Sequence, residues 1–389
     1  MANSQLKFYP VKNGDTTLIT LQDNSTILID CKISEKSKDE KEETTFNVKE
    51  DLLKSIKTKD GNPFIDIFVL THPDNDHCLG FEKNFYQGAP ENYEEKHKKN
   101  NEIIIGELWV TSKLFTYDQS DDANKVRSEA NRRKKLYDEK DKDSDKSGNR
   151  LIIVGYDGTE KLENVPHYVP SNNVDVFNGK KNELVSFFIH APFKDDLQSA
   201  ESGKNETSIA FQVRFKKNKE DKDFIGLALF GGDSDHYIWN KILSETKSHK
   251  NEIALKWDLF LAPHHCSWTF FNDTKQEDHP DPQAYSLEVL DFKRTEKSKI
   301  IASCKEIKNN SDNPPHYQAK QQYVKKVKTE NFLHTETYEV ISKTPQPIVF
   351  EITNQGPMKP KEEEGTAKNT GNSTLGAINK PSSYGSRII

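Results

Sequence analysis

Four cysteines in 389 residues, widely spaced and without a Cys-x-x-Cys pair, supply neither a disulfide framework nor a thiolate metal clip. Their scarcity fits a reducing compartment. Apolar residues make up only 33% of the chain and the mean hydropathy is -0.87, so much of its length is solvated. No stretch approaches the ~20 apolar residues that a membrane-spanning helix requires. Residues Met1 to Gln5 lack the basic and apolar pattern of a secretory signal. The expectation is a soluble, cytoplasmic protein with no membrane partner. A net charge of -6, from 56 basic and 62 acidic residues, argues neither for nor against nucleic acid. Any basic groove must be local.

What the chain does have is Thr71-His72-Pro73-Asp74-Asn75-Asp76-His77. The apolar, β-branched run Ile65-Asp66-Ile67-Phe68-Val69-Leu70 ahead of it reads as a buried strand. Two histidines and three carboxyl- or amide-bearing neighbours thus share a short loop at a strand end. Such a loop can aim several side chains at one point, and imidazole with carboxylate suits divalent metals from Zn to Mn.

Other segments repeat this design. Phe224 to Phe230 is a nearly all-apolar strand closed by Gly231-Gly232-Asp233, where the glycines permit a sharp turn and leave a carboxylate able to bridge two cations. Trp257 to Ala262 is a strand ending in Pro263-His264-His265-Cys266-Ser267. Upstream, residues 6–30 read as a hairpin and a third strand, with Asp15 either capping its turn or lying beneath the site. Charge dominates residues 33–50 and 118–150, two solvated insertions. The second contains Arg132-Arg133-Lys134-Lys135, read as an exposed helix face or as a phosphate-contacting patch. Further strands are expected at residues 103–110, 151–154, 184–190 and 299–303, a helix at 318–327 and a last hairpin within 332–352. From residue 356 the Pro, Lys, Glu, Gly and Ser composition reads as a disordered tail, leaving 1–355 as the folded domain.

In this order the motifs resemble the metallo-β-lactamase superfamily, whose signature loop is usually T-H-x-H-x-D-H. The variant here, with Asp74 in place of a histidine, is similar to the ComEC-like competence-protein hydrolase domains and their free-standing relatives. Val11-Lys12-Asn13-Gly14-Asp15-Thr16 resembles that family's V-G-Q-G-D-A, and Asp30-Cys31-Lys32 its D-x-G without the glycine. Asn205 to Val213 resembles its N-x-x-S-x-V-L, with Asn205 where lactamases supply a metal-binding histidine. Pro263 to Ser267 resembles P-H-H-G-S, with Cys266 replacing glycine, and Asn309 to His316 resembles N-x-x-G-H-P with the glycine lost.

The resemblance implies an α/β fold: the αββα metallo-β-lactamase sandwich of two mixed β-sheets with outer helices. It implies one or two divalent metal ions, Zn or Mn with Mg also suited, held by His72, Asp74, Asp76, His77, Asp233 and His265. His265 is expected as ligand and His264 as its catalytic neighbour, or the reverse. Asp76 would double as proton acceptor, and His316 would meet a phosphate or shuttle a proton. The activity implied is that of a phosphodiesterase or nuclease acting on nucleic acid or a nucleotide through a metal-activated water. Two alternatives stand beside it: a metallohydrolase of a cyclic nucleotide or lactone, and a catalytically weakened subunit of a larger complex with a protein partner.

Overall fold

The computed structural model describes residues 3–34, 45–116, 120–155, 161–199, 203, 205–273, 281–311 and 313–360. Strand Asn62–Val69 sets its layering. Successive side chains of a strand point to opposite faces. Ile67 and Val69 therefore enter one apolar cluster, while Phe68 and Leu70 enter another.

This strand lies inside a ten-stranded mixed sheet. Thr26–Ile29 and Ile104–Val110 flank it in parallel, and Arg150–Val154 follows in parallel. On the other side Gln5–Phe8 and Thr17–Thr20 form an antiparallel meander with Thr26–Ile29. A seven-stranded sheet repeats the plan. Val185–Ala191, Ala210–Phe215 and Gly226–Phe230 run antiparallel, then Leu259–Leu261, Lys299–Ala302 and Phe332–His334 add in parallel.

The inner cluster joins the two sheets: Phe8, Ile67 and Trp109 of the first share it with Phe187, Phe211 and Phe230 of the second. Helices Val48–Ser55 and Asp121–Asp138 cover the outer face of the first sheet, and His236–Ser248, Ala284–Asp291 and Tyr317–Val327 that of the second. The result is an α/β sandwich of two mixed sheets with helices outside, as the motif order implied.

Three expectations change. The hairpin expected within 332–352 is confined to Val340–Ile341 and Thr344–Pro345; Phe332–His334 extends the second sheet, and Ile348–Thr353 pairs antiparallel with Gln5–Phe8 in the first. The folded chain also runs past residue 355, because Gly356–Met358 pairs with Ile348–Thr353; residues 361–389 of the expected tail, like 35–44 of the first insertion, lie outside the described residues. The third concerns Arg132 to Lys135. Arg133 is 1% exposed and its guanidinium donates to Glu129 and to the Ile105 and Arg150 carbonyls, while Arg132 donates to Glu129 and Gly148. These two arginines anchor their helix to the sheet, so they are not a phosphate patch.

That anchoring yields a stability prediction. Glu129→Ala strands a buried guanidinium and is expected to cost about 3–5 kcal/mol in urea denaturation. Lys135→Ala, on the exposed face of the same helix, is expected to stay within about 0.5 kcal/mol.

Candidate metal centre

Each loop that carries a metal-type side chain leaves the end of a sheet strand. After Val69 the chain forms residues 71–77, whose last part is the single helical turn Asn75–Cys78. That turn throws Asp76 and His77 back toward the sheet. After Phe230, Gly232 adopts φ +51°, and a Cβ there would press on Ser208 and Thr71 at 3.0 and 3.2 Å. The turn delivers Asp233 to the interior, 3% exposed.

The Pro263–Cys266 turn departs from what its sequence suggests. A plain strand end would send adjacent histidines to opposite sides. Instead His264, His265 and Cys266 all take left-handed backbone, with φ of 49°, 52° and 64°. Such conformations cost of order 1–3 kcal/mol each in non-glycine residues and gather at functional sites. The curl brings both imidazoles onto the same carboxylate.

Asp233 is the meeting point. Its Oδ1 lies 3.2 Å from His77 Nε2 and 3.5 Å from His265 Nε2. These two nitrogens are 3.2 Å apart, and Asp76 Oδ2 is 3.2 Å from His265 Nε2. Its Oδ2 lies 3.5 Å from His72 Nε2 and 3.6 Å from His264 Nε2, with Asp74 Oδ2 3.7 Å from His72. Ligand atoms at about 2.1 Å around a tetrahedral ion are about 3.4 Å from one another, which these spacings match. The Oδ1 side is the tighter. Asp15, His77, Asp233 and His265 are all buried, and one ligand atom of each lies within 4.8 Å of the others. This cluster could hold a metal ion.

A test of that fit comes from hydrogen bonding. Among the described residues, His72 Nε2 and Asp233 Oδ1 are buried with no hydrogen-bond partner. Buried polar atoms are costly when unpaired, and a cation on the side of Asp233 that each one faces satisfies it.

The backs of the imidazoles are held as ligands require. His77 Nδ1 is 2.8 Å from Asp30 Oδ2, and Asp30 itself accepts from the Thr71 N–H and hydroxyl, each at 2.7 Å. A neutral His77 then donates Nδ1–H to Asp30 and turns its Nε2 lone pair inward. His265 Nδ1 faces the Ser303 carbonyl at 3.2 Å, with Gly14 N–H also 3.1 Å away and Asp15 Oδ1 at 3.7 Å. The tautomer that donates Nδ1–H to Ser303, and so forgoes the bond from Gly14 N–H, leaves Nε2 free for the centre. Gly14 approaches so closely that a Cβ would lie 2.6 Å from the Asp76 carbonyl.

Protonation follows the same geometry. Burial pushes Asp233 up, but His265, His77, His72 and His264 prevail and hold it well below the carboxylate range. Burial likewise pulls His77 and His265 down, yet Asp233 outweighs it; His77 ends well above its ordinary value and His265 at about 10. Asp15, pushed up by burial against the pull of His265 and His77, sits at about 6.

Five expected ligands, His72, Asp74, Asp76, His77 and His265, thus gather around the sixth, Asp233. His264, expected beside the ligand, is as near Asp233 Oδ2 as His72 is. His316 differs: its N–H donates to the Cys266 carbonyl and its ring lies 5.7 Å from Trp268, so these contacts tie it to the histidine turn rather than to Asp233. Asn205 lines the cleft that also exposes Asp233 and His264. Asp30 and the inward placement of Asp15 carry more of the site than the sequence suggested; their signals were the strand end at Asp30 and the Gly14-Asp15 turn, one of whose two readings put Asp15 beneath the site.

No protein-family model matches the chain, and no curated protein matches it.

Two measurements check this centre. A divalent ion must displace protons from His77 and His265, both held above the ordinary histidine value, so affinity should rise with pH, roughly tenfold per unit for each displaced proton. Calorimetry in buffers of different ionisation enthalpy should register proton release, and pH-independent binding would refute the arrangement. Asp30→Ala should weaken metal binding about 10–100-fold by freeing the back of His77.

Proposed function

We propose that the protein is a metal-dependent hydrolase of metallo-β-lactamase type, acting on a phosphodiester. The observation that carries this reading is the placement of Asp233, whose two oxygens each face a separate histidine pair. A carboxylate shared in that way suits two cations, and the mixed oxygen and nitrogen donors suit Zn or Mn, with Mg also accommodated.

Asp233 with His72, His77, His264 and His265 would hold the ions, which would supply a lowered pKa for water and a polarised phosphoryl group. The remaining work belongs to the chain. Asp76 is a carboxylate whose side chain is 35% exposed. Burial raises its pKa, but the hydrogen bond to His265 and the charge of His77 bring it below the ordinary range. It remains ionised at neutral pH and can orient a water by accepting its hydrogen bond. His264 lines the cleft, and its Nδ1 is 3.1 Å from the Thr269 hydroxyl. Burial lowers its pKa, so it is neutral at pH 7 and can take up or orient a proton on the substrate side.

A second reading concerns substrate size. The cleft over the centre holds about 570 Å³ and its lining includes Asp196, Glu206, Asp235 and Asp273 against Lys241. That volume is within the range of small-molecule pockets. Its carboxylates repel a long phosphate backbone. Both features favour a small phosphodiester over polymeric nucleic acid.

Purified protein loaded with Mn or Zn is expected to hydrolyse bis(p-nitrophenyl) phosphate, and a chelator to abolish it. Asp76→Asn should lower turnover by at least about 100-fold with the melting temperature retained. Fewer than one bound metal per chain, with no stimulation by manganese, would instead support the weakened-subunit alternative and overturn this reading.

A further inference from the structure

The cleft beside the metal centre has a composition that phosphodiester chemistry does not itself demand. Besides Asp233 and Asp235, three of its carboxylates stand on separate segments: Asp196 on helix Lys194–Gln198, Glu206 on the turn Asn205–Thr207, and Asp273 beyond Trp268–Phe270. Asp196 is 7% exposed. One of its oxygens pairs with Lys241, whereas Oδ2 is buried without a hydrogen-bond partner among the described residues. Glu206 Oε2 is likewise buried without one. Lys241 already offsets the charge of Asp196, and what the second oxygen of Asp196 and Oε2 of Glu206 still lack is a donor or a cation.

Tyr237 gives the second half of the argument. It lines the same cleft, yet is 52% exposed, an unusual position for a large aromatic ring. Its hydroxyl donates to Asp273 Oδ2 at 2.8 Å, and its ring lies 4.0 Å from that of His236, which is held through Nδ1 by Tyr285 at 2.6 Å. The ring is therefore braced at the cleft with a carboxylate at its edge. An aromatic face beside carboxylates attracts an organic cation by its quadrupole and by charge.

A further metal ion does not fit here. Among the described residues, the one group of three or more metal-type side chains with ligand atoms converging within 4.8 Å is that at Asp233. The cleft carboxylates are more widely set, which suits a larger and more diffuse charge.

We propose that this cleft is a receptor for an organic ammonium group, so that the substrate carries a positive charge a short distance from its scissile bond. The inference rests on the hydrolase reading for its link to turnover, but not for binding itself. Asp196, Glu206 and Asp273 supply the charge, and Tyr237 the apolar face. Lys241 pairs with Asp196 in the same lining, so the ammonium group is received chiefly by Glu206 and Asp273.

The test uses isosteres that differ only in charge. In calorimetry on the full chain without added metal, choline is expected to bind at least tenfold more tightly than 3,3-dimethyl-1-butanol. The double variant Glu206→Gln, Asp273→Asn should erase that difference, and Tyr237→Leu should reduce it. A choline affinity no better than that of the alcohol, or a preference that survives in the folded double variant, overturns the proposal. In the metal-loaded enzyme, a p-nitrophenyl phosphodiester of choline should show a kcat/KM at least tenfold above that of the 3,3-dimethylbutyl ester. Binding preference without hydrolysis of either ester would reject the hydrolase reading and leave the receptor standing; hydrolysis of both at equal rates would reject the receptor alone.

Discussion

A carboxylate buried among four imidazoles is the constraint on which this structure turns. Removing Asp233 from water carries a large desolvation cost, and only positive charge close at hand offsets it. Protonated histidines can supply that charge, and so can a divalent ion. The two are exchangeable, which is why the same geometry that raises His77 and His265 also prepares a metal position. The left-handed run at His264 to Cys266 and the tight turn at Gly232 are local costs sustained by this charge balance.

Neither sheet contains the centre. His72, Asp74, Asp76 and His77 follow a strand of the first sheet, whereas Asp233, His264 and His265 follow strands of the second. Short backbone links hold the loops in place: Ile209 N–H to the Thr71 carbonyl at 2.9 Å, Asp15 N–H to Asp76 at 3.3 Å, and His264 N–H to Gly232 at 3.1 Å. The Ser303 hydroxyl adds a bond to the Gly14 carbonyl at 2.7 Å. Metal-type side chains can be placed within a few tenths of an ångström because the loops that carry them are bonded to one another.

Much of this was legible in the chain. Apolar runs ending in His, Asp or Gly-Gly-Asp marked strand ends and ligands together, since a buried strand must be apolar and its exit loop is free to carry polar groups. Other features were hidden for physical reasons. Ile348–Thr353 reads as a partner for its neighbour in sequence, but strand pairing depends on register and layer, which periodicity does not encode. Arg133 looks solvated in a row of basic residues, and only the helix phase reveals that it faces Glu129 and the sheet carbonyls. His264 and His265 share a target because of a backbone twist that no side-chain pattern announces. The cleft charge comes from segments far apart in sequence, so it is visible only after folding.

The pairing of Ile348–Thr353 with Gln5–Phe8 has a consequence for how the chain is made. Until the later strand exists, Gln5–Phe8 is an unpaired sheet edge, with Leu6 and Phe8 lacking Phe350 above them. The partner follows about 340 residues later. At ribosomal speeds of about 5–20 residues per second, that edge waits roughly 20–70 s for closure. Over that interval the nascent chain presents a sticky strand to its surroundings. Slower synthesis lengthens the exposure, whereas a chaperone that shields the amino-terminal strand shortens its effective life.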